Sequence, residues 1–153
     1  MNVAVACDHG GFPLKSTVLD AIRTAGHQPL DLGTNSLDAV DYPDFAAAAG
    51  RAVQDGQADR AIVLCGSGVG AAMAANKLAG IRAGVCHDVY SAHQAVEHDD
   101  LNVLALGARV IGSALATDLV HTFLRARYTA EPRHARRLAK VAALEQGRGG
   151  SRP

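Results

Sequence analysis

The sequence predicts an α/β fold, a doubly wound parallel sheet of five strands in three layers with an extended C-terminal helix. Short apolar runs alternate with alanine-rich amphipathic segments along the whole chain, which is typical of repeated strand–helix units. The apolar runs are continuous rather than alternating, which indicates strands buried on both faces. Helices must therefore cover both sides of the sheet, in a Rossmann-like arrangement.

The five predicted strands are rich in Val, Ile, Leu and Ala and end at polar or glycine-containing clusters. The first, NVAVAC, ends at the polar cluster DHGG, and the third, RAIVLC, continues directly into a glycine loop. The predicted strands cover residues 2–7, 28–32, 60–65, 81–86 and 102–106.

Proline and glycine mark the limits of the predicted helices. Pro13 suits the first turn of a helix that Gly26 ends, and Pro43 opens the next one. Alanine-rich segments with an apolar face supply the others. The predicted helices cover residues 13–25, 44–55, 71–78, 89–97, 113–127 and 132–146.

Length and composition indicate one globular domain. A chain of 153 residues can bury a core, and no repeat or linker divides it. We therefore predict a single domain over residues 1–146 and a disordered Gly/Arg-rich tail over 147–153. Lys plus Arg equal Asp plus Glu at 15 each, which gives no indication of nucleic acid or an acidic membrane as a partner.

The sequence features that report on location predict a cytoplasmic protein. The N-terminus has neither a basic leader nor a long apolar stretch, and no apolar run approaches the roughly 20 residues of a membrane span. The three cysteines show no CxxC spacing and lie within or at the end of apolar runs, as reduced core cysteines do.

The C-terminal part is basic on an otherwise neutral chain. Arg133 and Arg137 lie four residues apart on a predicted helix, so both guanidinium groups can hold one anion from one face. Arg136 and Lys140 form a second such pair that we expect to be solvated. A solvated helix face explains the same pattern, and the residues alone leave both interpretations open.

Ligands in doubly wound folds bind outside the carboxyl ends of the strands. Several polar or nucleophilic residues follow predicted strands, and two more follow the fourth helix. We expect them to converge on one edge of the sheet. These residues are Asp8 and His9, Cys65 with its glycine loop, His87 and Asp88, and His98 and Asp99.

The strongest local motif is the loop CGSGVG, residues 65–70, between a predicted strand and a helix. Its backbone N–H groups can hold an anion. It lacks the Gly-Lys-Ser/Thr of a P-loop and the closing arginine of a cysteine phosphatase. Gly66, Gly68 and Ala71, with Asp88 further on, fit a relaxed dinucleotide fingerprint, although the loop follows the third strand rather than the first.

Cysteine and histidine positions leave further alternatives. Cys65 is either a thiolate stabilised by neighbouring N–H groups or a small core residue. Cys7 and Cys86 have no glycine loop beside them and are predicted to be buried and inert. The cluster Asp8-His9-Gly10-Gly11 suits an anionic or hydroxylated ligand, or a simple turn. Spacings of six and five do not place His87, His93 and His98 on one helical face, so no metal is expected.

These residues together resemble one known family, ribose-5-phosphate isomerase B and the galactose-6-phosphate isomerase subunits. The resemblance runs from Val3 to about Gln146, and the glycine loop followed by AANK is its most specific part. Five segments carry it: CDH with GF and LK at 7–15, DYP at 41–43, CGSGVG to AANK at 65–77, GIRA at 80–83, and HDD with NVL at 98–104.

The resemblance implies a cofactor-free aldose–ketose isomerase of a phosphosugar, most simply ribose 5-phosphate to ribulose 5-phosphate. It implies homodimers, or tetramers, with active sites shared between subunits. Cys65 would move the proton between C1 and C2, His98 would open the sugar ring, and Ser67 would help proton movement between the oxygens. The implied binding residues are Asp8 and Tyr42 at the sugar, Gly66, Gly68, Val69 and Gly70 at the enediolate, His9, Arg133 and Arg137 at the phosphate, and Asp99 and Arg109.

Three positions depart from the family pattern. Some members use a glutamate just after the glycine loop, where this chain has Ala71, so Cys65 is the base implied here. Asp99 replaces a frequent Asn and cannot donate the same hydrogen bond while ionised. Ser67 replaces a frequent Thr. Another phosphosugar (a tetrose, allose or galactose phosphate) and a non-catalytic nucleotide- or sugar-phosphate-binding module remain the alternative interpretations.

Overall fold

The computed structural model describes residues 1–147, so residues 148–153 of the predicted tail lie outside the described part. It contains a five-stranded, all-parallel sheet in the order β2-β1-β3-β5-β4, which confirms the predicted α/β class. The strands are β1 (Asn2–Cys7), β2 (Gln28–Asp31), β3 (Arg60–Cys65), β4 (Ala83–Val85) and β5 (Val103–Gly107).

Helices follow every strand, and a sixth helix closes the described chain. They are α1 (Phe12–Thr24), α2 (Tyr42–Gln54), α3 (Val69–Ala75), α4 (Val89–Asp99), α5 (Ser113–Arg125) and α6 (Pro132–Gly147). In residues 1–147, no helix combines the length and apolarity needed to cross a membrane.

The sheet separates two apolar cores. Alternate strand residues face helices α1, α4 and α5 on one side, where large side chains such as Ile62, Leu104 and Phe123 are fully buried. The other side faces α2 and α3 and consists largely of alanine, for example Ala61 and Ala105. Small side chains there bring α2 and α3 close to the sheet, so the loop before α3 is held directly above the strand ends.

The sheet order creates the crevice in which the site lies. The chain runs from β1 outward to β2 on one side, and β3, β5 and β4 lie on the other. The connections of β1 and β3 therefore diverge at their carboxyl ends, which is the switch point where such folds bind ligands. At this point α1 approaches β3 so closely that a methyl group on Gly11 would overlap the carbonyl carbon and oxygen of Leu64.

Most predicted element limits differ from the structure by one to three residues, and three of the differences have a clear physical reason. Strand β4 is shorter than residues 81–86, because it is an edge strand with a neighbour on one side and pairs with β5 over three residues. Helix α3 begins two residues earlier than expected, since Gly68 (φ 83°) takes the left-handed conformation that starts it. Helix α2 begins at Tyr42, with Pro43 in its first turn.

Candidate active site

The sulfur of Cys65 lies at the carboxyl end of β3, beneath the glycine loop. The side chain is buried, with 5% of the residue exposed, and its Sγ accepts the Gly68 N–H at 2.9 Å. The left-handed conformation of Gly68 turns this N–H toward the sulfur. In the same loop the Val69 N–H donates to Ser67 Oγ at 3.3 Å. The glycine loop therefore holds both the sulfur and the Ser67 hydroxyl with main-chain N–H groups.

The end of β1 lies against the same loop. Asp8 is 7% exposed, and its Oδ1 accepts the Gly11 N–H at 2.8 Å. Gly10 lies so close to the glycine loop that a Cβ there would be 3.0 Å from the Gly66 nitrogen. The two strand ends are therefore in direct contact, and the Asp8 carboxylate lies beside the Cys65 loop as the sequence predicts.

His9 and Tyr42 reach the site through the segment between β2 and α2. The Val40 N–H donates to His9 Nδ1 at 3.2 Å. The acceptor nitrogen must be unprotonated, which leaves Nε2 as an N–H donor for an anion. The Tyr42 ring packs on Gly70, where a Cβ would be 2.9 Å from the ring. Gly70 thus makes room for an aromatic wall at the glycine loop.

Arg109 brings a cation to the glycine loop from the segment after β5. Its main-chain N–H donates to the Gly66 carbonyl at 3.0 Å. Its guanidinium lies beside Gly66, so that a Cβ added there would be 3.4 Å from Arg109 Nη1. Gly107, at the end of β5, also lies against the glycine loop, because a Cβ there would be 2.6 Å from the Ser67 carbonyl carbon. The positive charge of Arg109 therefore lies beside the loop that holds Cys65.

The expected convergence of all the site residues on one edge was wrong for His98 and Asp99. They end α4, which starts at the carboxyl edge of β4 and returns to the opposite edge of the sheet. Eleven helical residues span about 16 Å. Asn102, just after them, pairs with the start of β3 through its carbonyl and the Ala61 N–H at 2.9 Å.

The His98 ring lies in a small cluster with His134 on α6. The ring centroids are 4.0 Å apart and the planes 31° from parallel. The side-chain amide nitrogen of Gln94 donates to His98 Nδ1 at 2.9 Å. Arg133, also on α6, forms an ion pair with Glu131 at 3.0 Å. His98 and Arg133 therefore lie together, away from Cys65 in the same chain.

A cavity of about 460 Å³ adjoins this cluster. It lies between α6 and the segment that joins α3 to β4, and both Asp99 and Arg137 line it. Helix α6 is held there by Glu145, which accepts the Gly80 N–H at 2.9 Å. The predicted arginine pair is thus helical as expected, and it shares one end of the molecule with His98.

The sequence interpretation missed His134. The residue is 2% exposed, and its Nε2 accepts from Arg133 Nε at 3.1 Å. The imidazole is therefore neutral, with the proton on Nδ1 beside Thr129 Oγ1 at 3.2 Å. Burial lowers the pKa of His134, and the nearby His98 and Arg133 lower it further. In the sequence, His134 lies between Arg133 and Arg136 on a basic helix. A basic helix segment indicates an exposed face and therefore gives no reason to expect a buried histidine.

The remaining cysteines and histidines lie outside this arrangement. Cys7 and Cys86 are buried as predicted, and burial raises the pKa of the Cys7 thiol to about 11 and also raises that of Cys86. His87 Nε2 accepts the Gly107 N–H at 2.9 Å, so His87 supports the end of β5. Within residues 1–147, no group of three His, Cys, Asp or Glu side chains has the geometry of a metal site.

The fold and the carboxyl-edge geometry define an α/β domain with a cysteine, a glycine loop and the cation of Arg109 at the switch point. Comparisons with known proteins specify the class. The model of the Ribose/Galactose Isomerase family matches residues 3–141. The chain therefore belongs to this family, which confirms the resemblance found in the sequence, and it is an isomerase.

Individual relatives cover nearly the whole chain. Ribose-5-phosphate isomerase B of Escherichia coli is 44% identical over 147 residues, which are 96% of this chain and 98% of that protein. The structure of Clostridium thermocellum ribose-5-phosphate isomerase B superposes with a TM-score of 0.93 at 44% identity, covering 96% of this chain and 99% of that one. D-erythrulose-4-phosphate isomerase of Pectobacterium atrosepticum is 38% identical over 133 residues, with 84% and 85% covered.

Proposed function

We propose that this protein interconverts D-ribose 5-phosphate and D-ribulose 5-phosphate, with Cys65 as the proton-transferring base. The observation that supports this most is the Cys65 sulfur at the tip of β3, which accepts the Gly68 N–H of the glycine loop at 2.9 Å. The Escherichia coli relative bears the name of this activity and shares 44% of the residues.

The proposed reaction requires one base and a place for negative charge. His98 opens the sugar ring, and Cys65 removes the C2 proton of the open-chain aldose to give an enediolate. The same proton is returned to C1, while the Ser67 hydroxyl helps to move a proton from O2 to O1. Amides of residues 66–70 stabilise the enediolate oxygens, so the residues themselves supply both requirements.

Binding energy away from the reacting carbons positions the substrate in this proposal. Asp8 and Tyr42 contact the sugar, and His9 donates from Nε2 to the phosphate. Arg109 adds positive charge beside the glycine loop, and Gly66, Gly68, Val69 and Gly70 face the ligand with their main chain. Anchoring the phosphate at a distance orients C1 and C2 against the sulfur.

We further propose that each site is shared across a homodimer, or within a tetramer built from such dimers. His98, Asp99, Arg133 and Arg137 lie at the opposite edge of the sheet from Cys65 in one chain. A two-fold interface brings one such cluster of the partner subunit to the Cys65 loop of the other. The site is incomplete in a single chain.

A reducing compartment, the cytoplasm, suits this chemistry. All three cysteines are free thiols in the structure. Disulfides persist in oxidising compartments, whereas thiols remain reduced in the cytosol. The proposed base has to remain a thiol to function.

The test of the base is Cys65→Ala. We expect kcat to fall by about three orders of magnitude, since general-base catalysis contributes roughly 10² to 10⁴, while KM changes little because the phosphate contacts persist. The matched control is Cys86→Ala, a buried thiol outside the site, which should retain turnover. Wild-type turnover in Cys65→Ala would refute the assignment.

The substrate is tested by assaying ribose 5-phosphate beside tetrose, allose and galactose phosphates. The highest kcat/KM is expected for ribose 5-phosphate. A clear preference for the tetrose phosphate would assign the activity named for the Pectobacterium relative instead. Binding of NAD or a nucleotide with no turnover of any phosphosugar would favour a binding module and overturn the proposal.

A further inference from the structure

Lys15 on α1 is a buried cation outside the residues assigned so far. It is 6% exposed, and its Nζ lies 2.8 Å from Asp31 Oδ2 at the end of β2. Nζ also donates to the Thr34 carbonyl and to Asn35 Oδ1, both at 2.9 Å. An ammonium group has three N–H donors, so these three oxygens satisfy it completely.

Two of the three Lys15 partners, Thr34 and Asn35, lie at the start of the β2–α2 loop, which we define as residues 32–41. The third, Asp31, is the last residue of β2 and directly precedes this loop. This loop contains no helix or strand. At its start, the Leu32 and Thr34 N–H groups donate to Val5 and Cys7 carbonyls of β1 at 2.8 and 3.0 Å. Main-chain contacts therefore fix the first residues, and Lys15 is the side chain that holds the loop to α1.

The other end of the loop reaches the candidate site. The Val40 N–H donates to His9 Nδ1 at 3.2 Å, and Tyr42 follows the loop directly with its ring on Gly70. Both contacts belong to residues that bind substrate in the proposed function. Any shift of the loop thus alters the His9 donor and the Tyr42 wall together.

We propose that Lys15 is a positioning residue for the substrate-binding side chains, acting through the β2–α2 loop on His9 and Tyr42. This inference rests on the proposed function. A role in stability alone is a weak explanation, because the Asp31 side chain is 38% exposed and an ion pair with a solvated carboxylate contributes little net stability. A directional cation with three fixed acceptors instead specifies one loop conformation.

The kinetic test compares Lys15→Met with Arg23→Met. Arg23 is the matched control, since it also lies on α1 and pairs with an aspartate at 2.8 Å, but with its side chain 58% exposed. We expect Lys15→Met to raise KM about tenfold with kcat within about threefold, because His9 and Tyr42 bind rather than react. Arg23→Met should leave both parameters unchanged.

A double-mutant cycle tests the route of the effect. If Lys15 acts through His9, Lys15→Met will reduce kcat/KM less in a His9→Ala background than in the wild type. Full additivity would contradict the proposal. Asn35→Ala removes one acceptor at an exposed position, so it keeps the test open should Lys15→Met fail to fold; it should raise KM in the same direction by a smaller factor.

A readout independent of activity uses Cys7, which the loop covers. Cys7 is 1% exposed, and its Sγ lies 3.9 Å from the Thr34 carbonyl oxygen. Alkylation of Cys7 by iodoacetamide, followed by peptide mass spectrometry, should be at least about tenfold faster in Lys15→Met than in Arg23→Met once the loop is released.

The outcomes separate the two proposals. Faster Cys7 labelling with an unchanged KM would overturn the positioning role, as would a lower melting temperature with neither change. If the wild type turns over no phosphosugar, the proposed function fails, whereas the labelling still reports whether Lys15 holds the loop.

Discussion

The polar partner of the Cys65 sulfur is a main-chain N–H rather than another side chain. A side-chain donor to the sulfur would have to be held in one rotamer, whereas the Gly68 N–H is fixed by the backbone of the glycine loop. The sulfur thus has a preorganised donor that needs no rearrangement in the proton transfer proposed for it. This property depends on a glycine, because Gly68 has φ 83°.

His87 makes folding stability depend on pH. Burial lowers its pKa, and its Nε2 must be unprotonated to accept the Gly107 N–H. The unfolded chain has an ordinary histidine pKa of about 6.5, so below that pH it binds more protons than the folded chain. The free energy of unfolding should therefore fall as the pH drops from about 7 toward 5.5.

The measurement is the urea midpoint across this pH range in the wild type and in His87→Gln. A glutamine oxygen accepts the same N–H without titrating, so the variant should lose less stability toward acid pH. His134 and His27, whose pKa values are also lowered by burial, keep part of the dependence. An identical slope in both proteins would show that His87 does not contribute.

At the scale of elements, helix α1 is placed by the absence of a side chain at Gly11. A methyl group there would overlap the Leu64 carbonyl group, so Gly11→Ala must push α1 away from β3. We expect a loss of about 1–3 kcal/mol or more in the free energy of unfolding. The control is Gly112→Ala before α5, where nothing lies within 4 Å and the loss should stay below about 1 kcal/mol. Equal losses in chemical denaturation would contradict the packing argument.

The sequence predicted the types and order of the elements because their signals are local. The apolar runs NVAVAC and RAIVLC predicted buried strands, and both strands occupy the residues expected. The order β2-β1-β3-β5-β4 was not predicted, since strand pairing is decided by packing between distant segments. The same limit applied to β4, whose apolar run is longer than its pairing with β5.

The candidate site was predicted only in part, because local signals place some of its residues and long-range packing places the others. Asp8, Cys65 and the glycine loop lie at or directly after the carboxyl ends of strands, so the rule that ligands bind at these ends predicted them to lie together. His98 belongs to the end of a helix, and the rule for strand ends does not apply there. Lys15 and Val40 act through the fold of the β2–α2 loop, which has no periodic pattern. Only the three-dimensional structure relates them to His9.

At the scale of the whole molecule, the two groups of site residues predict complementation between inactive variants. Cys65→Ala and His98→Ala should each be inactive alone. In a mixed dimer, one site receives Cys65 from one subunit and His98 from its partner, so an equal mixture after subunit exchange should recover about a quarter of wild-type activity.

This recovery is measured after unfolding and refolding the two variants together. Refolding each variant alone and mixing the products without exchange is the control, and it should remain inactive. No recovery in mixed dimers that form normally would show that Cys65 and His98 do not share a site across subunits.

The two outer strands of the sheet, β2 and β4, are only four and three residues long. Strand β2 also contains Pro29, which has no N–H to offer to a neighbouring chain. A strand of another molecule that approaches either edge of the sheet therefore finds few main-chain groups with which to pair. We therefore expect the short edge strands to limit aggregation by strand pairing between molecules, even though the sheet is strongly apolar.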